Sequence, residues 1–145
     1  WHEHLFQARS LTTTAASESG PRAFTMAGLG PQDMDFAQVY DCFTPVAIME
    51  LEDLGFCAKG EGGGFVENGN IELGGTIPVN THGGLLSHCH TGHPGTMFAL
   101  TESVTQLRGT GGDRQVAGAE VGLVHGQGGV ISSHSTLILG TEATL

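Results

Sequence analysis

Apolar positions along this chain follow a helical period in some stretches and a strand-like alternation in others. The clearest helical stretch follows Thr44, a good N-cap, with Pro45 suited to the first turn. Ala47, Leu51 and Leu54 keep helical spacing, Val46, Ile48 and Met49 widen the apolar face, and Gly55 closes it. Glu50, Glu52 and Asp53 interrupt that face with acid. A second helix is expected over residues 94–108, with Met97, Leu100, Val104 and Leu107 on one face and Gly109 at its end. A shorter one opens at Ser19-Gly20-Pro21 and stops at Gly28. Residues 36–40 have a short strand's composition, and two final strands are expected over 120–124 and 130–139.

Between these elements the pattern weakens. Residues 60–75 predict loop and hairpin turn, with Phe65-Val66 and Ile71-Glu72-Leu73 as short strands. Residues 77–80 read as extended, 81–87 as a loop, and 1–18 as a lead-in to a unit spanning 19–145. Strand, helix, strand, helix and two strands is an α/β order.

Composition narrows the picture. The chain has 145 residues, one domain's worth, and 24 are glycine. Apolar residues at 39% argue against disorder, and no three-residue glycine repeat points to collagen. Glycine is therefore expected at turns, helix ends and close backbone approaches. Five basic against fifteen acidic residues give a formal charge of −10, which argues against nucleic acid and membrane partners. Charged residues are only 14%, a sign of faces buried against a companion domain or a second copy. Cys42, Cys57 and Cys89 form no disulfide framework, so free thiols and a cytoplasmic location are expected. The first residue is Trp1 rather than Met, and a processed product or fragment is expected.

Four segments could carry chemistry. His88-Cys89-His90 with His93 puts four metal-competent side chains in six residues, but a loop this tight rarely directs them tetrahedrally. A catalytic histidine in a glycine-lined pocket, or loop histidines without a role, are the other readings. Tyr40-Asp41-Cys42-Phe43 lies between a strand and a helix, where reactive groups collect in α/β sheets. Cys42 fits a small buried apolar residue better than a nucleophile. His125-Gly126-Gln127-Gly128-Gly129 falls between the last two expected strands. Its glycines suit either a hairpin turn or backbone N–H groups facing a ligand. Residues 60–64 lack the Lys-Ser/Thr of a phosphate loop and read as a turn.

Taken in order, these pieces resemble the C-terminal half of the thiolase superfamily, in its sterol-carrier-protein-type and lipid-transfer aldolase branch. The residues that carry the likeness are Tyr40-Asp41-Cys42-Phe43, Leu51 through Cys57, Asn80 through Ser87, Gln106-Leu107-Arg108-Gly109, Arg114-Gln115-Val116 and His125 through Gly129. The resemblance implies the second half of a two-half fold: a mixed five-stranded sheet with helices, layered αβα, with a remnant of its first strand as the alternative reading of residues 1–18, and an N-terminal half that is absent here.

The resemblance also implies roles. Tyr40 stands where the branch has a histidine and thiolases an asparagine, at the oxyanion hole for an acyl thioester. A phenol can donate there, or accept a proton if its pKa falls. The histidine that faces the same hole is His90 by spacing or His93 by its Gly-His-Pro neighbours. His125 takes the acid/base position, with Gly126, Gly128 and Gly129 as backbone donors. The implied activity is Claisen condensation or thiolysis of acyl-CoA, dependent on an N-terminal half that holds the nucleophilic cysteine. The alternatives are retro-aldol cleavage of a β-hydroxyacyl-CoA with a small OB-fold partner subunit, and a non-catalytic lipid or acyl-CoA binding module. A homodimer is implied, with no metal and no bound cofactor, and coenzyme A present only as the substrate thioester.

Overall fold

The computed structural model describes residues 4–92 and 94–144. Eight regular elements follow in chain order: α1 (Ala16–Ala27), β1 (Phe36–Gln38), α2 (Thr44–Asp53), α3 (Gly62–Glu67), α4 (Gly84–Ser87), α5 (Gly95–Leu107), β2 (Val121–Gly128) and β3 (Ser133–Gly140). The strands form one sheet in the order β1-β2-β3, with β1 parallel to β2 and β2 antiparallel to β3. Phe36 stands opposite Gly122, and His125 opposite Thr136.

Side chains alternate across the sheet, and this assigns the layers. Val121, Leu123 and Ile138 join Ala16 and Phe24 of α1 and Leu51 and Leu54 at α2 in the main core. On the opposite face, a Cβ at Gly126 would meet Thr96 of α5. Helices therefore cover both faces of the sheet, as the layered α/β order predicts. Among the described residues no helix is long and apolar enough to cross a membrane.

The expected five strands are three among the described residues, for reasons visible in the backbone bonding. The extended run at 77–80 makes a single parallel bridge, Val79 to Ala37. Ile77 and Val79 donate their N–H groups to the carbonyls of Asn70 and Ile71, and Asn80 leaves the extended region at φ 50°. Phe65 and Val66 lie on a helix rather than a strand. The Glu52 carboxylate accepts the Gly62 N–H at 3.0 Å, satisfying one of the donors left unpaired at the start of α3. Ile71 through Leu73 form turns.

Other boundaries move as well. The first helix begins at Ala16, ahead of Ser19-Gly20-Pro21, because Thr14 receives its first turn: the Thr14 hydroxyl accepts the Ala16 N–H at 3.2 Å. The segment after Gly83 is a helical turn rather than a loop. His125 through Gly128 are not a connection between strands. They continue β2, and the reversal falls at residues 129–132.

Candidate functional site at the exit of β1

The chain leaves β1 because side chains capture its next two amides. Val39 donates its N–H to Asn80 Oδ1, and Tyr40 donates to Glu50 Oε2, each at 2.8 Å. The following carboxylate, Asp41 Oδ1, accepts the Leu85 N–H at 2.7 Å and so pins α4 beside this exit. Gly84 makes the contact possible, since its φ is +64° and a Cβ there would overlap the Asp41 carboxylate. Gly84→Ala is therefore expected to cost about 2–4 kcal/mol, from overpacking plus a left-handed backbone. Thermal unfolding should show a Tm drop on the order of 10 °C.

Tyr40 and His90 meet edge-to-face, ring centroids 6.0 Å apart and planes at 73°. Gly95, at the start of α5, packs against the Tyr40 ring: a Cβ there would sit at ordinary contact, 3.6 Å, from that ring and more tightly, 3.2 Å, against Leu85. Tyr40 and His90 both line a cavity of about 770 Å³. Phe43, Pro45, Val46 and Met49 contribute its apolar wall, while Gly128 and Gly129 close the end near the hairpin. Burial, with Cys42 and Glu50 nearby, pushes the Tyr40 phenol up. It is therefore a hydrogen-bond donor at neutral pH. Burial also pushes the Cys42 thiol up, and Gln127 Nε2 reaches its sulfur at 3.6 Å. That is a protonated thiol, consistent with a packing residue.

His125 does not line this cavity. It is 1% exposed, on the face of β2 that packs against α2. Its Nδ1 lies 2.9 Å from Thr136 Oγ1 and its Nε2 2.9 Å from His134 Nδ1. Glu50 Oε1 stands 3.7 Å from the same Nε2. Burial pushes His125 down to about 3, with His134 adding to the effect. Burial pushes Glu50 well above the usual carboxylate range, despite the Tyr40 N–H that it accepts. His125 is thus neutral at neutral pH, and its approach to Glu50 is not an ion pair.

These three side chains are also the group best able to hold a metal among the described residues, with donor atoms within 4.8 Å of one another. The 2.9 Å between the two imidazole nitrogens is a hydrogen-bond distance. Two imidazoles on one tetrahedral zinc stand about 3.3 Å apart, given zinc–nitrogen bonds near 2.0–2.1 Å. The cluster as built shares protons. The tight histidine loop does not assemble a metal group among the described residues: His88 packs between His82 and Phe98, while His90 turns to Tyr40. His93 lies outside the described residues.

Residues 1–141 match the family model described as "Thiolase C-terminal domain-like". The chain belongs to that family. It is 44% identical over 126 residues to an acetyl-CoA acetyltransferase of Methanothermobacter thermautotrophicus, covering 86% of this chain and 33% of that protein. It is 46% identical over 121 residues to the 17-hydroxy-3-oxo-4-pregnene-20-carboxyl-CoA lyase of Mycobacterium tuberculosis, covering 83% of this chain and 30% of that protein. Among solved structures it resembles the Ltp2-ChsH2(DUF35) aldolase, with a TM-score of 0.85 and 35% identity over 97% of this chain and 35% of that one. The chain thus spans about a third of each protein.

For this thiolase-like domain, the structure brings Tyr40, His90, Gly128 and Gly129 to one cavity. It separates His125 from them and turns Gly126 toward α5. Four side chains near these groups have no role legible from motif and spacing alone: Glu50, Gln127, His134 and Thr136. Two signals mark the placement of three of them. Glu50 lies at helical spacing between Ala47 and Leu54, an acid on an apolar stripe. His134, Thr136 and Ile138 alternate onto one face of β3.

Proposed function

We propose that this domain belongs to a longer enzyme that cleaves the Cα–Cβ bond of a β-hydroxyacyl-CoA by retro-aldol chemistry. One observation carries this reading: the cavity presents one protonated donor, Tyr40, and one imidazole, His90, while His125 faces away. A retro-aldol step needs one donor and one base.

The His90 imidazole takes the β-hydroxyl proton. The O–H electron pair forms the new carbonyl at Cβ, and the Cα–Cβ bond breaks. Its electrons pass to the thioester as an enolate, whose oxygen accepts the Tyr40 O–H. The imidazolium returns its proton to Cα. The products are a shortened acyl-CoA and an aldehyde or ketone. Coenzyme A enters only as the substrate thioester, and no resident cofactor takes part.

The apolar rim of the cavity stays open in this chain, with Phe43 67% and Leu11 66% exposed. In this reading the rim is covered by an N-terminal half, with a homodimer mate and a small OB-fold subunit as further partners. A second reading, thiolysis or Claisen condensation, draws on the acetyl-CoA acetyltransferase relative. It needs a nucleophilic thiolate from the remainder of the protein, because Cys42 is held as a thiol.

The two readings separate in one assay on the full-length protein. With β-hydroxyacyl-CoA, retro-aldol cleavage yields a carbonyl product and consumes no free CoA. With β-ketoacyl-CoA plus CoA, thiolysis consumes both. Cleavage in the first mixture supports the proposal. Turnover confined to the second replaces it with the thiolase reading.

A further inference from the structure

We infer that Glu50 is the positioning residue of Tyr40, anchoring its backbone amide from beneath the cavity and so holding the phenol against His90. The inference rests on the reading of Tyr40 as the donor to substrate.

The geometry is specific. Glu50 lies on α2, fully buried, and neither carboxyl oxygen faces solvent. Oε2 accepts the Tyr40 N–H at 2.8 Å, the bond that turns the chain out of the sheet and aims the phenol at the cavity. Oε1 has no hydrogen-bond partner among the described residues and stands 3.7 Å from His125 Nε2. A buried oxygen left without a partner destabilises the fold. A leucine or methionine would fill the same space in the helix without that cost. The carboxyl does what neither could: it holds a backbone amide whose residue carries the chemistry. A misplacement of about 1 Å at a reacting group can cost about 10²-fold in rate.

The ionisable groups facing Glu50 come from every element around it. Tyr40, Asp41 and Cys42 lie on the β1–α2 connection, Asp53 on its own helix, His125 on β2 and His134 on β3. Asp41 and Asp53 add to burial in holding Glu50 protonated. As pH rises through the raised Glu50 pKa, a buried negative charge appears beside Tyr40 and disturbs the donor.

The test uses the full-length protein labelled with 3-fluorotyrosine. Tyr40 is this chain's only tyrosine, and Tyr40→Phe assigns its resonance. Glu50→Gln keeps a carbonyl oxygen for the Tyr40 N–H and stays neutral. It is expected to hold the fluorine shift and kcat near the parent values while removing the Glu50-dependent fall in kcat at rising pH. Glu50→Ala is expected to move the fluorine shift and to lower kcat by about 10- to 100-fold, with KM within about threefold. Glu50→Ala with an unchanged fluorine shift and kcat overturns the inference. So does Glu50→Gln that is as damaging as alanine, or that keeps the parent's pH profile. Should the alanine variant not fold, the glutamine pH profile and fluorine shift decide alone. The fluorine readout needs no turnover. A failure of the retro-aldol reading therefore shows as active Tyr40→Phe protein, separately from the Glu50 result.

Discussion

Tyr40→Phe in the full-length protein should lower kcat for β-hydroxyacyl-CoA cleavage by about 10²- to 10³-fold and leave KM within about threefold. The substitution removes one hydroxyl and keeps the ring. The edge-to-face contact with His90 and the packing against Gly95 both survive, so ground-state binding and folding should change little. What is lost is the donor to the thioester oxygen, and it is lost when that oxygen gains charge. Removing one such donor costs about 3–4 kcal/mol of transition-state stabilisation. The effect therefore falls on kcat rather than KM. The phenol's raised pKa makes it a donor throughout the neutral range. Steady-state kinetics with an unchanged circular dichroism spectrum are the check. A kcat within about fivefold of the parent would remove Tyr40 from the chemistry.

The second large effect is on stability in acid. His125 carries a folded pKa of about 3, while in the unfolded chain it titrates near 6.5. A lowered folded pKa means that the unfolded state binds the proton first. The stabilisation is complete above about pH 6.5 and is lost as pH falls toward about 3, at roughly 1.4 kcal/mol per pH unit. Glu50 acts in the opposite sense. Its folded pKa is raised, so its contribution is complete below about pH 4.5 and is lost as pH rises through the folded value. Because Glu50 opposes His125 over this range, only the difference between the two proteins isolates the imidazole: from pH 7 to pH 4 the urea midpoint of His125→Gln should shift toward higher stability relative to the parent's. Parallel pH dependence in the two proteins would show that His125 takes up its proton in the folded state.

Much of the architecture was legible because it depends on local rules. The apolar stripe of α2, the extent of α5 and the alternation on β3 follow local spacing, but Thr44 is the first helical residue of α2 rather than its cap, and α5 buries Ala99, Glu102, Ser103 and Gln106 rather than the face of Met97, which is 57% exposed. The misread elements are those decided by remote partners. Phe65 and Val66 have strand-forming side chains, but the Glu52 carboxylate on another helix starts α3 beneath them. Residues 77–80 are extended, as expected, but add only a bridge to the sheet, because the amides of Ile77 and Val79 go to the carbonyls of Asn70 and Ile71. The glycines after His125 looked like a connection. Gly126 and Gly128 lie in β2, paired with Ser135 and Ser133, and the space taken by Thr96 of α5 explains the glycine at 126; Gly129 alone, at φ 61°, belongs to the reversal.

By itself the sequence determined the α/β class, the order of most elements and the set of residues able to do chemistry, because spacing, capping and residue type are local properties. The tertiary structure decided which of those residues meet. His125 and Tyr40 are 85 residues apart and both carry suitable groups, yet the pleat of β2 turns His125 into the core, while the Glu50 bond turns Tyr40 toward the cavity. Side-chain direction across a sheet follows from register and from what packs behind it, and both are set by contacts distant in the chain.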